Sequence, residues 1–369
     1  MRTDIAIVGA GMAGASLASA IRGRARVVLL EAEDLPGYHA TGRSAAFWSE
    51  TYGGPGVQPL TTASGEFLRN PPASHGGEGF LTRRGELLIA RPGDEPLLDR
   101  FQADFAGSGV SIEATSAHRF VTGMKAGWDA ALWGPSCTDI DVARLHAAYL
   151  SDARRHGVEL RTRAGLVAAK REDDGWSLTL ADGTTLQTAV VVDAAGAWAD
   201  SVARLAGAAP LGIQPYRRTM VQLRIDPPAP ADLPLVSDIR GEFYFKPEPG
   251  GRLWLSPHDE IPSDPCDAAP DEIDVALAIE RLQSAVDWRI EAVERKWAGL
   301  RSFAPDRLPV YGFAPDTPGF FWFAGQGGFG IQTAPAAAEI GAALLLGQEP
   351  AAMVAAIDMD RYSPSRFRR

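Results

Sequence analysis

Short apolar runs punctuated by turn-forming residues dominate this chain, and their pattern changes twice along it. Asp4–Val8, rich in isoleucine and valine, predicts a buried strand. It ends in Gly9-Ala-Gly11-Met-Ala-Gly14. Ala15–Arg22 then predicts a helix, and Val27–Leu30 a second buried strand that stops at Glu31. These ~30 residues make one βαβ unit, and parallel strands of this kind need helices on both faces. Asp34–Gly56 is rich in glycine and small polar residues and predicts a long loop or a broken helix, a kind of segment that usually serves function. Asp141–His156 predicts a helix, with Asp139 or Asp141 as N-cap and Gly157 at its end. Val158–Thr162 follows as a strand. Leu166–Arg171, Trp176–Leu180 and Thr184–Leu186 predict strands joined at Asp173-Asp174-Gly175 and Asp182-Gly183. The continuous apolar run Ala189–Ala194 predicts a buried parallel strand.

From Ile213 to Leu300 the pattern is different. Strand-like pieces at Met220–Ile225, Glu242–Lys246 and Leu253–Ser256 are broken by proline-rich links at 227–234 and 262–270. They predict an antiparallel sheet in a second domain, with Asp271–Val286 as its helix. Gly319–Ala324 returns to a buried strand, followed by the glycine-rich turn Gly325–Gly330 and an alanine-rich helix over Thr333–Leu346. No internal repeat is visible.

At 369 residues the chain is too long for one simple core, so two structural units are expected. A hydrophobic fraction of 46% with 22% charged residues argues against disorder. The net charge of −10 disfavours nucleic acid as a partner. Cys137 and Cys266 are the only cysteines and form no CxxC pair, and the histidines show no metal-ligand spacing. The apolar start of the chain lacks the flanks of a targeting signal, and Ala334–Leu346 is too short to span a bilayer and contains Glu339. A cytoplasmic protein is expected, free or peripheral to the inner membrane.

GxGxxG alone is a weak signal. Here it follows a strand, opens a helix, and is joined by an acid at the end of the second strand, which is the context of a dinucleotide site. Gly9 permits the tight turn, Gly11 the close approach of a diphosphate, and Gly14 helix–strand packing. Glu31 lies in place to accept from ribose hydroxyls. The motif does not separate NAD from FAD. The late turn Gly325–Gly330 before a helix favours FAD, because such a helix N-terminus can stabilise an electron-rich ring edge.

Five segments together resemble the glycine oxidase and D-amino-acid oxidase family of FAD enzymes, nearly end to end. They are Ile7–Gly14, Gly37-Tyr-His-Ala-Thr-Gly-Arg-Ser-Ala-Ala46, Val192-Asp-Ala-Ala-Gly-Ala-Trp198, Trp297-Ala-Gly-Leu-Arg-Ser-Phe303 and Gln326-Gly-Gly-Phe-Gly-Ile-Gln332. Within that family the chain is most similar to bacterial D-arginine dehydrogenases. The resemblance implies an α/β fold: a Rossmann-like FAD-binding domain of the glutathione-reductase type, with a second, antiparallel-sheet α+β substrate domain. The FAD-binding part would comprise 1–45, 139–212 and 297–369, the substrate part 46–138 and 213–296. FAD would be bound non-covalently, and hydride transfer from Cα would oxidise a D-amino acid to an imine that hydrolyses to a keto acid and ammonia. A quinone, another carrier or oxygen would accept the electrons.

The same resemblance assigns Arg218 and Arg301 to the substrate carboxylate, a task suited to a planar guanidinium. It puts Tyr244 beside that carboxylate and Tyr52 on a mobile loop over the site. Glu86 would read the far end of a cationic side chain, with Gly328 and Gln332 near flavin and substrate. The chain departs from the pattern at Phe47, where the relative has histidine, and at Ser49, where it has threonine; the pocket becomes more apolar. Cofactor contacts are implied for Gly9, Gly11, Ala13 and Gly14, for Glu31 and Ala32, and for Thr41, Gly42, Arg43, Ser44, Ala45 and Ala46. They are further implied for Val167, for Ala195, Gly196 and Trp198, for Arg301, and for Gln326, Gly327, Gly328, Phe329, Gly330, Ile331 and Gln332.

The residues alone also allow plainer readings. Arg217 and Arg218 read as a solvated pair, Glu86 as a surface partner of Arg83 and Arg84, Tyr244 as core, His39 as a backbone-bonded side chain, and His146 and His156 as solvent-facing. Other functions of the same fold are oxidation of sarcosine or a 2-hydroxy acid, and a tRNA-modifying relative, against which the negative charge and the lack of a basic stripe argue.

Overall fold

The protein is described by a computed structural model over residues 2–367. Two large sheets organise it. In the first, Arg2–Val8 lies between Val27–Leu30 and Thr185–Asp193, all parallel, with Glu159–Arg161 beyond Val27–Leu30. Val27–Leu30 and Phe320–Ala324 are buried at every position, as strands covered on both faces must be. Thr185–Asp193 is one strand where the sequence predicts two. Thr185–Thr188 pair antiparallel with Gly175–Leu180, and Val191–Asp193 pair parallel with Phe320–Ala324. The polar residues that split the expectation mark the change of partner.

The helices Met12–Ile21 and Ala334–Leu346 share a core with this sheet through Leu17, Ile21, Phe321, Phe323 and Ile340. Met12–Ile21 starts earlier than expected because Gly14 lies inside it: a Cβ there would stand 1.9 Å from the Gly9 carbonyl oxygen. Val142–Arg155 is capped by the Asp141 carboxylate, which accepts from Arg144 N at 3.0 Å, and Glu272–Ala285 by Asp271, which accepts from Ile273 N at 3.0 Å.

The second sheet is built on the long antiparallel pair Gln214–Asp226 and Arg289–Phe303, joined at the outer edge by Gln326–Gly327. On the other side follow Arg252–Ser256, Tyr244–Glu248 and Leu235–Asp238. Its one departure from the antiparallel expectation is the parallel pairing of Leu235–Asp238 with Glu86–Ile89, which brings Glu86 beside Leu235. The division expected at residue 297 falls inside the unbroken strand Arg289–Phe303. The helix Gln58–Arg69, in a stretch where the hydrophobic pattern is uninformative, packs on the dinucleotide side: Ser64 Oγ accepts from Ala336 N at 3.1 Å. No helix among the described residues is long and apolar enough to cross a membrane.

Candidate active site

Where the two sheets meet, a cavity of about 420 Å³ runs from Gly9, Gly11 and Glu31 to Arg218 and Arg301. Its first end is a cradle of backbone. Gly9 has φ +103°, and a Cβ there would lie 2.5 Å from the Ala194 carbonyl oxygen, so the turn accepts only glycine. Thr41 Oγ1 accepts from Met12 N at 2.9 Å and stands in for the cap that Gly11 lacks. Glu31 is buried, accepting from Ala10 N at 3.1 Å and Glu33 N at 3.0 Å. Amides at a helix N-terminus beside one carboxylate fit the diphosphate and ribose of an adenine dinucleotide. Ala13, Ala32, Thr41, Arg43 and Ser44 also line this end, and Ala195, Gly196 and Trp198 its wall. Gln326, Gly327, Gly328, Gly330 and Ile331 line the opposite side.

Several expected contacts lie elsewhere. Val167 is 53% exposed, at a register shift between Leu166 and Ala168 that turns it outward, while Ala164, Gly165 and Leu166 line the cavity. Gly14 and Gly42 act through backbone packing, a Cβ at Gly42 meeting the Gly37 oxygen at 2.8 Å. Ala45 packs with Cys137, Met220 and Tyr244, and Ala46 with Trp48 and Met12. His146 is not solvent-facing. It is buried on the inner face of its helix, with Nε2 2.9 Å from the Ala10 carbonyl oxygen, and burial lowers its pKa. His39 meets Glu33 at 2.9 Å rather than backbone, and its ring packs on Trp198.

The second end is set by strand register. Arg218 lies opposite Gly299 and Arg301 opposite Tyr216, so both arginines share one face of the sheet as diagonal neighbours. Arg217 points to the other face and pairs with Asp274 at 2.6 Å. Arg218 is therefore not half of a solvated pair. It is 3% exposed, and its Nε donates to the Asp259 carbonyl oxygen at 2.7 Å and its Nη2 to Glu260 at 3.1 Å. Its Nη1 is buried with no partner among the described residues. Burial, and then the nearby Arg301, pull its pKa down to about 10, so it stays charged at neutral pH. Arg301 donates from Nη1 to Tyr52 Oη at 2.7 Å and from Nη2 to Tyr244 Oη at 3.5 Å. A Cβ on Gly328 would stand 2.3 Å from Tyr52 Oη and 3.2 Å from Arg301 Nη1.

Behind Tyr52 lies a buried polar cluster. Glu86 Oε2 accepts from Ser49 Oγ at 2.7 Å and Thr51 Oγ1 at 3.2 Å, and burial raises its pKa against those two bonds. It is not a surface partner of Arg83 and Arg84, since Arg84 pairs with Asp139 at 2.6 Å. Gln332 ties the cluster to the loop, accepting from Ser49 N at 3.1 Å and donating to the Tyr52 carbonyl oxygen at 3.0 Å. Tyr52 packs between Phe47 and Phe329, each 5.1 Å away, and Phe47 stands 6.2 Å from Tyr244. Thr51, Asp259, Glu260 and His258 join this site without any sign in the linear pattern; only the spacing of Ser49 and Thr51, two apart before Tyr52, hints at a shared face. Among the described residues no group of side chains could hold a metal ion.

Residues 4–344 match the family described as FAD dependent oxidoreductase. The chain is 30% identical over 372 residues to the tRNA 5-methylaminomethyl-2-thiouridine biosynthesis bifunctional protein of Maricaulis maris, covering 98% of this chain and 55% of that one. It thus spans about half the length of that relative. Among solved structures it is similar to glycine oxidase from Geobacillus kaustophilus, with a TM-score of 0.83, 24% identity and 99% of both chains covered. It is likewise similar to L-proline dehydrogenase from P. horikoshii, with a TM-score of 0.85, 21% identity and 99% and 98% covered. At those identities the likeness establishes the fold, a dinucleotide-binding α/β unit joined to a mixed sheet. The family match and the glycine cradle agree: this chain belongs to the FAD dependent oxidoreductases, and FAD is its cofactor.

Proposed function

We propose that the chain oxidises the Cα–N bond of a small amino acid held by its carboxylate, with a D-amino acid bearing a basic or large apolar side chain as substrate. The observation that carries this reading is Arg218 Nη1, buried and without a partner among the described residues, near the half-buried Arg301. Two neighbouring guanidiniums held out of bulk water repel, and a carboxylate relieves both. In this reading Arg218 and Arg301 fix the carboxylate, the hydroxyls of Tyr52 and Tyr244 complete its surroundings, and Phe47, Tyr52 and Phe329 exclude water. FAD, when bound, supplies the acceptor for the hydride that leaves Cα. The imine product hydrolyses in water to a keto acid and ammonia, and a quinone, another carrier or oxygen takes the electrons onward. The D configuration rests on the resemblance of sequence.

Glu86 supports the choice of side chain. It has hydroxyl partners and, among the described residues, no cationic one, so a guanidinium or ammonium would complete it, while D-Asp and D-Glu would be repelled. Phe47 offers an apolar face to D-Met or D-Phe, or a stacking surface to a guanidinium. The test is kcat/KM for D-Arg, D-Lys, D-Met, D-Phe and D-Glu with wild type and Glu86→Leu. The variant should lose the basic substrates selectively. Uniform loss would make Glu86 structural, and high wild-type activity on D-Glu would sink the charge argument. A second reading, a small secondary or cyclic amino acid, is favoured by the close packing of Phe47 against both tyrosines beside Arg301. Glycine, sarcosine and L-Pro therefore belong in the same panel, and faster turnover of any of them would select it.

A further inference from the structure

The loop that grips Arg218 also carries His258, which the carboxylate clamp does not use. It follows the strand Arg252–Ser256, immediately before Asp259 and Glu260. Its φ is +52°, in the left-handed region that few residues with a side chain occupy and that often marks functional sites. Its ring stands edge-on to Tyr244, centroids 5.6 Å apart at 81°. Its Nδ1 lies 2.6 Å from the Gly241 carbonyl oxygen. A carbonyl only accepts, so Nδ1 carries the proton and Nε2 of the neutral ring presents a lone pair. That Nε2 has no partner among the described residues and is not sealed from solvent.

The groups around it favour the neutral ring. Arg218 faces it from Gln214–Asp226, Arg301 from Arg289–Phe303, Arg307 from the turn beyond, and Tyr244 from its own strand. Arg281, from Glu272–Ala285, holds the adjacent Pro257 carbonyl oxygen at 2.5 Å. The carboxylates of the loop are engaged elsewhere, Asp259 with Thr219 at 2.7 and 2.9 Å, Glu260 with Arg218 and Arg307. Burial, followed by Arg218 and Arg301, holds the imidazole pKa well below its ordinary value.

We propose that His258 Nε2 takes a proton from the α-ammonium group of the bound amino acid, leaving the neutral amine that oxidation requires. The ammonium N–H bond breaks, its electron pair stays on nitrogen, an Nε2–H bond forms, and the positive charge moves to the ring, which passes the proton to solvent. The freed lone pair is the one that becomes the second bond of C=N. The inference rests on the carboxylate clamp of Arg218 and Arg301, and that clamp serves it: a bound carboxylate offsets both guanidiniums, so the imidazolium forms more readily with substrate present than without it.

The test uses holoenzyme and the most active amino acid of the panel. His258→Asn keeps a side chain that tolerates positive φ and removes the titrating nitrogen. Its kcat/KM should fall about 10²-fold or more near neutral pH and return toward wild type at alkaline pH, where the substrate arrives as free amine. An unchanged pH profile, or a loss of equal size at every pH, overturns the assignment. Calorimetric binding of propionate, a carboxylate without an amine, separates the two claims. His258→Asn should bind it as wild type does, and a loss matching that of Arg301→Ala would make His258 part of the clamp instead. If Arg218→Ala and Arg301→Ala bind propionate as wild type does, the clamp itself fails.

Discussion

An arginine pair on one sheet face and a carboxylic acid sealed in the core illustrate how single residues depend on where their strands put them. Replacing Arg218 or Arg301 with alanine should cost roughly 2–5 kcal/mol in kcat/KM, the range for truncating one member of a buried charged pair. Lysine should rescue only part, having no planar fork. Wild-type efficiency in both alanine variants would refute the clamp. Asp193 is fully buried; its Oδ1 accepts from Ala195 N at 3.1 Å and its Oδ2 has no partner among the described residues. Burial, reinforced by Asp200, pushes its pKa well above the carboxylate range. The folded chain then holds a proton that the unfolded chain gives up above about pH 4, so this residue lowers stability as pH rises. Asp193→Asn should equal wild type in acid and gain a Tm advantage that grows toward neutral pH. A constant offset would show that Asp193 is not held protonated. The burial of Arg218 and of Glu86 could not be read from the residue pattern alone. Arg217 and Arg218 are chemically alike, and only the register against Arg289–Phe303 turns one into the site and the other toward Asp274. Glu86 is buried by a parallel partner about 150 residues away, as Leu235 is in sequence.

The elements were legible where periodicity and punctuation are local. The βαβ unit, the Asp141 and Asp271 caps and the strand before Gly325 follow from patterns a few residues wide. The long strand Arg289–Phe303 was not, because its outer part alternates exposed charges and carries no apolar run. Within the first helix, Gly14 joins pattern to packing. Gly14→Ala places a methyl against the Gly9 backbone carbonyl, which cannot give way as a flexible side chain could, and must push Met12–Ile21 off the glycine turn. The variant should purify with little or no FAD, measured by flavin absorbance after heat release and chromatography. Full retention would mean that the helix can shift without disturbing the cradle. The same readout on wild type should return FAD rather than NAD.

At the scale of the whole molecule, the binding unit and the sheet carrying the arginines are usually thought of as separable parts. Here Gln214–Asp226 and Arg289–Phe303 are laddered over their full length, and the inner end of that ladder also takes on Gln326–Gly327 from the glycine-rich turn. A seam stitched this way leaves little room for one half to melt while the other stays folded. Calorimetry should therefore show one endotherm whose calorimetric and van't Hoff enthalpies agree, moving to higher temperature as FAD is added. Two resolved endotherms would mean that the ladder is not shared. If there is one, damage anywhere along those two strands, even at the exposed outer end far from the cofactor, is felt as lost flavin affinity, and the enzyme's heat tolerance and its grip on FAD are tuned together by mutation.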